Sequence, residues 1–252
     1  MAIELEGGTL VADLREGEPL RHGTLRSWSR FGRASGAEAI SLRVLELEQG
    51  LSPTLAPHDA EELLYVLAGR GTLFLDGHAL DVEPDTGVFR RPGSTLALEN
   101  AASEPLVIAS ARCPEPEDGL RTAEPRTEPS RADGAPAPLA RLAERPAETT
   151  ADRSYRVLVN EDLGCRNATQ FVGSIPPGRA PDHFHHYEEV LVVLRGEGRM
   201  WSGGTHTPIR RASCIFLPRG QVHCLENTGA DELRVLGVFH PSGSPAAAHE
   251  TD

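Results

Sequence analysis

This chain repeats itself, and the repeat limits what it can fold into more than any other feature. Glu61-Glu62-Leu-Leu-Tyr-Val-Leu-Ala-Gly-Arg-Gly71 returns as Glu188-Glu189-Val-Leu-Val-Val-Leu-Arg-Gly-Glu-Gly198, an offset of 127 residues. Phe89 and Phe216, Gly77 and Gly204, Gly93 and Gly220, and Leu98-Glu99-Asn100 with Leu225-Glu226-Asn227 keep that offset. A constant offset leaves no room for an insertion between these landmarks, so both halves are expected to share one fold.

The repeated unit reads as short strands. Ala39–Leu47, Glu62–Leu67, Gly71–Leu75, Val88–Arg90, Thr95–Glu99 and Leu106–Ser110 are β-branched or apolar runs cut by glycine or proline. Tyr155–Val159, Thr169–Ile175, Val190–Leu194, Gly198–Trp201, Cys214–Leu217, Val222–Glu226 and Leu233–Phe239 repeat the series. Regular short strands without a long segment of 3.6 period predict an all-β protein of sandwich or barrel type. Residues 1–112 and 151–252 are read as the two domains. Residues 113–150, with seven prolines and mixed charge, are read as a linker rather than a core segment, with one helical turn expected over Leu139 to Glu144. The tail from Pro241 onward is small and polar, and is expected to fray.

Composition excludes several functions. A net charge of −12 argues against a nucleic-acid partner, which needs a basic face. No apolar run approaches the roughly 20 residues of a membrane span, and the first residues lack a secretion signal, so a soluble cytoplasmic protein is expected. All 25 basic residues are arginine. Without lysine there is no Schiff-base chemistry and no P-loop. Cys113, Cys165, Cys214 and Cys224 form no Cys-x-x-Cys pair, and four free thiols are expected.

The chemistry concentrates in the second repeat. His183, His185 and Glu189 have the same parity, so one strand would present all three on one face, and His223 can join from a later strand. Three imidazoles and a carboxylate suit a divalent transition metal. Iron(II) is favoured, with manganese, nickel, copper and zinc open, because ligand type alone does not choose among them. At the same offset the first repeat has Ala56, His58, Glu62 and Leu96. It is expected to be a structural or dimerising partner, with His58 and Glu62 as a residual polar pair, which leaves room for a homo-oligomer. His186, Arg199 and Gln170 are the candidate catalytic residues around the metal. Strand parity points His186 and Glu188 away from the cavity, and Glu61 beside Glu62 marks Glu188 as scaffold.

These residues resemble the cupin superfamily. Its first motif, G(X)5HXH(X)3,4E(X)6G, is followed by Gly178, His183, His185, Glu189 and Gly196, with four residues instead of five after Gly178. Its second, G(X)5PXG(X)2H(X)3N, is met by Pro218, Gly220, His223 and Asn227, with Ala212 in place of the opening glycine. Two copies on one chain look like a bicupin. The resemblance implies two double-stranded β-helix (jelly-roll) barrels in tandem, the second holding a metal near one open end and acting on a small-molecule substrate. Cupins with this ligand set are frequently iron-dependent dioxygenases, which is the favoured activity. A non-redox isomerase, cyclase, decarboxylase or hydrolase, or a ligand-binding bicupin without turnover, are the alternatives.

Overall fold

A computed structural model describes residues 2–75, 78–114, 120–123 and 137–246, with the backbone of 249–250. Gly77 and much of the expected linker lie outside the described residues. Among the described residues every regular element is a strand or a short 3-10 turn.

Each repeat forms two facing sheets. In the first, strands that include Ser41–Leu47, Glu61–Ala68, Thr86–Arg90 and Leu106–Cys113 make a seven-stranded sheet. It closes over a four-stranded sheet carrying Gly71–Leu75 and Leu96–Asn100. In the second, Thr169–Ile175, Glu188–Arg195, Ser213–Leu217 and Leu233–His240 lie in an eight-stranded sheet. The sheet opposite has six strands, among them Glu197–Ser202 and His223–Asn227.

The two large sheets pack against each other, and this explains their composition. In Ser41–Leu47 and Leu106–Cys113 every residue is buried, because one face meets the barrel interior and the other meets the second barrel. Leu64 and Val66 join the interior of the first barrel, whereas Leu63 and Tyr65 join a cluster shared with Val190, Val192, Phe216 and Val238. A sheet covered on both faces loses the apolar/polar alternation of a half-solvated one.

Two carboxylates lock this seam reciprocally. Glu61 accepts hydrogen bonds from the backbone N–H groups of Arg166 (3.0 Å) and Asn167 (2.8 Å) and from the Cys165 thiol (3.2 Å). Glu188 accepts from the N–H groups of Glu38 (2.9 Å), Ala39 (2.8 Å) and Ile40 (3.2 Å). Each repeat therefore supplies one carboxylate to the equivalent loop of the other, and Glu188 is scaffold, as its parity with Glu61 suggested.

The sheets do not respect the boundaries expected from the sequence. Leu10–Asp13 leaves the first repeat and pairs with Ser213–Leu217 of the second barrel. Leu139–Arg141, inside the expected linker, pairs with Thr86–Arg90 of the first. These strands hold equivalent places in the two repeats, so the barrels exchange edge strands. The helical turn expected over Leu139 to Glu144 is this strand followed by a 3-10 turn at Leu142–Glu144. Of the tail expected to fray, residues 247–248 and 251–252 lie outside the described residues, while Ser242 and Gly243 bond to Thr169. Pro245 and Ala246 line a cavity in the second barrel, and His249–Glu250 pairs with His183–Phe184. All four cysteines are free and buried.

Asparagine and glycine hold the turns in both halves. The Asn227 side chain donates to the carbonyls of Ile175 (2.9 Å) and Asp231 (2.8 Å) and accepts from the N–H of Gly229 (2.9 Å). Asn100 does the same with Leu47, Glu104 and Ala102. A Cβ on Gly198 would lie 1.9 Å from the Glu226 carbonyl oxygen, so only glycine permits this strand crossing. Ala212, at the opening position of the second motif, takes the left-handed conformation usually given to glycine, with φ 71°.

Substituting Glu188→Gln weakens three charge-assisted bonds across the seam. The expected loss is about 1.5–3 kcal/mol of stability, read from the denaturant midpoint, with metal content unchanged.

Candidate metal centre

Three imidazoles converge at one end of the second barrel. One nitrogen each from His183, His185 and His223 all lie within 4.8 Å of one another. Ring centroids are 5.0 Å apart for His183–His185, 4.6 Å for His183–His223 and 5.0 Å for His185–His223. Glu189 enters from the side, with its Oε2 3.7 Å from His185 Nε2.

The convergence has a different cause from the one expected. His183, His185 and Glu189 do not share a strand. His183–Phe184 is a two-residue strand of the six-stranded sheet, where His183 pairs directly with His223. Glu189 belongs to Glu188–Arg195 in the opposite sheet. The chain crosses between sheets at 185–187, and the Gly220 N–H holds His185 in the crossing by bonding its carbonyl at 2.7 Å. The turn over Pro218 and Gly220 thus fixes two ligands, His223 by sequence and His185 by contact.

Two of the imidazoles have a defined proton. His183 Nδ1 lies 2.9 Å from the Pro181 carbonyl and His223 Nδ1 2.7 Å from that of Gln221. A carbonyl can only accept, so Nδ1 carries hydrogen and Nε2 keeps its lone pair for a metal. Burial pushes His223 down to about 4, and His183 is also lowered, chiefly by burial. Both are neutral bases at pH 7. Tyr187 stacks on His185 at 4.5 Å and on Phe239 at 4.3 Å, which fixes the His185 ring plane.

The first barrel indicates what Glu189 lacks. Its counterpart, Glu62, is fully buried and meets Arg90 at 2.7 Å, His58 at 3.0 Å, the Ser110 hydroxyl at 2.5 Å and Arg112 at 3.6 Å. Arg90 also donates to the Ala56 carbonyl at 2.6 Å, the residue equivalent to His183. A guanidinium therefore occupies the ligand end of that barrel. Burial alone would raise the Glu62 carboxyl, but Arg90 and then Arg112 bring it well below the usual range. In the second barrel Leu217 and Phe239 take the places of Arg90 and Arg112. Among the described residues no guanidinium faces Glu189, and burial pushes its carboxyl up to about 8. Three imidazole donors, beside a buried carboxyl that would ionise readily next to a cation, fit a divalent metal ion.

His58 and Glu62 are consequently not a residual pair at a barrel mouth but part of a buried ion cluster. Leucines such as Leu45, Leu64, Leu73, Leu96 and Leu98 fill the rest of that interior. The signal for Arg90 in the sequence is a basic residue at the end of an apolar strand, where the other repeat has Leu217.

The second barrel keeps a cavity of about 120 Å³ beside the histidines. Phe171, Leu191, Leu217 and Val235 give it apolar walls, and Arg153, Tyr155 and Ser174 contribute polar groups. The three candidate catalytic residues lie elsewhere. Gln170 is buried in the seam and donates to the Leu64 carbonyl at 3.3 Å, because its side of the strand faces the first barrel. Arg199 lies on the outer face of its sheet and pairs with Glu226 at 3.2 Å, while Met200 between Arg199 and Trp201 points inward. His186 is exposed in the crossing loop, edge-on to Phe184. Arg153 was missed, since a lone arginine at a strand start carries no spacing signal.

Residues 43–111 and 171–239 each match the cupin domain family. The chain belongs to that family and, with two copies, is a bicupin. It is 37% identical over 73 residues to auxin-binding protein 1 of Arabidopsis thaliana, across 25% of this chain and 37% of that protein. It is 36% identical over 67 residues to the oxalate-binding protein of Thermotoga maritima, across 26% of this chain and 55% of that protein. The chain thus spans only about a third to a half of these curated relatives. A variant of Bacillus subtilis oxalate decarboxylase superposes with a TM-score of 0.77 at 12% identity, covering 95% of this chain and 78% of that one. At that identity the likeness speaks for the fold alone.

Replacing Arg90 with leucine strands Glu62 as a buried charge, with an expected cost of about 3–5 kcal/mol. The double change Arg90→Leu with Glu62→Leu should recover most of it. Glu62 is held below its unfolded value, so its contribution is present above the ordinary carboxylate range and is lost as pH falls through it. Thermal melts of both variants at two pH values check this.

Proposed function

We propose that the second barrel binds one divalent transition metal through His183, His185 and His223, with Glu189 as fourth ligand, and presents it to a small carboxylate. The observation that carries this is the three-histidine cluster opening onto a cavity with Arg153 on its wall. A bound ion would supply Lewis-acid polarisation of a carboxylate oxygen.

The residues of the chain supply the rest. Arg153 has its nearest carboxylate, Asp152, 3.6 Å away and largely exposed, and among the described residues its Nε makes no hydrogen bond. Its guanidinium is available to pair with an anionic ligand in bidentate fashion. Phe171, Leu191 and Val235 exclude water, which strengthens that pairing. Tyr187, stacked on His185, holds the ligand plane. A cavity this small suits a ligand of few atoms, and the relative named for oxalate binding supports a short mono- or dicarboxylate.

The arginine moves the preferred chemistry from the dioxygenase expected from the ligand set to carboxylate binding or decarboxylation. The first repeat, with its ion position taken by Arg90, serves as a structural partner.

Metal analysis of the purified protein with oxalate titration tests the reading. His185→Ala should abolish metal content while the barrel stays folded. Arg153→Gln should retain the metal and weaken oxalate binding at least tenfold, about 1.4 kcal/mol. Carbon dioxide release marks a decarboxylase, and oxygen consumption would instead restore the dioxygenase reading. A metal-free protein, or Arg153→Gln without effect, would overturn the proposal.

A further inference from the structure

We propose that the seam between the barrels holds a second binding site, for an organic anion with an apolar body. A cavity of about 640 Å³ opens there, several times the volume of the one beside the histidines and within the range of small-molecule sites.

Its floor follows the internal repeat. Tyr65 and Val192 are equivalent residues, as are Leu67 and Leu194, and all four line the cavity. The rim does not. Where the first repeat has Ala68, Pro84 and Val107, the second has Arg195, Arg211 and Arg234. Arg15, from the exchanged N-terminal arm, adds a fourth guanidinium.

Two of these charges are already engaged. Arg234 pairs with Asp85 at 2.9 Å and Arg15 with Glu46 at 2.7 Å. Arg195 reaches Asp231 only at 3.7 Å, with both side chains mostly in solvent. No hydrogen bond or ion pair of Arg211 occurs among the described residues. Arg195 and Arg211 thus stand over an apolar floor without a close acidic partner, the aspartates of the lining being Asp85, taken by Arg234, and Asp13. Ion pairing accounts for Arg234 and Arg15 but not for Arg195 and Arg211. A carboxylate, sulfonate or phosphate on an aromatic or alkyl body complements both parts. This site is separate from the metal and independent of what the metal does.

Fluorescence titration of the full metal-loaded chain with anilinonaphthalene sulfonate tests it, alongside the uncharged analogue phenylnaphthylamine. The expected result is one sulfonate site per chain. The double variant Arg195→Glu with Arg211→Glu should weaken it roughly tenfold, whereas His185→Ala leaves it unchanged. The uncharged probe should not respond to the arginine changes. These are surface positions, and matching melting curves verify the fold. Indifference of the sulfonate to charge reversal would overturn the proposal, as would loss of binding in His185→Ala.

Discussion

A carboxyl buried in a β-barrel must be given a cation or keep its proton, and the two barrels differ in how they meet that requirement. Glu62 and Glu189 occupy equivalent positions on the central strand of each repeat, aimed inward. The first barrel meets the need with a side chain, the Arg90 guanidinium, and then closes its interior with leucine. The second withdraws the guanidinium, brings three imidazoles to the same end, and keeps a cavity. One scaffold thus yields a solid barrel and an open one through a handful of substitutions, and the cavity exists because no arginine fills it.

The seam explains why the two barrels act as one body. Adjacent residues on the same strand take opposite duties: Glu61 and Glu188 cross to the neighbouring barrel, while Glu62 and Glu189 turn to their own interior. Strand alternation separates these tasks without further machinery. The exchanged strands reinforce the seam, since Leu10–Asp13, with Ile3–Glu4 beside it, extends the large sheet of the second barrel. The barrels share a two-sided core and would each expose large apolar faces if parted.

Much of this was legible in the chain. The constant offset announced two copies of one fold, and the parity of Glu61 and Glu62 separated scaffold from site. The histidines were legible because three of them with a glutamate at these spacings are improbable by chance. Other features were not. Leu25–Phe31, a full strand of the seven-stranded sheet, went unread because Leu-Arg-Ser-Trp-Ser-Arg-Phe is too polar to stand out. Gln170 looked like a pocket residue because its strand precedes the motif, yet the strand shows that face to the other barrel. The alternation rule says which residues share a face but not which neighbour covers it.

The amino-acid order by itself determined the tandem all-β architecture, the asymmetry between an intact and a degraded ligand set, and the identity of the converging histidines. These are carried by periodicity and residue type, which need no partner to be read. Only the tertiary structure decided that the Arg90 guanidinium lies at the Glu62 end of the first barrel, that Arg153 rather than Arg199 faces the cavity, and that the barrels trade edge strands. Each of these depends on which distant segment comes to lie within a few ångströms, and a charge or an edge strand gains its meaning only from that neighbour.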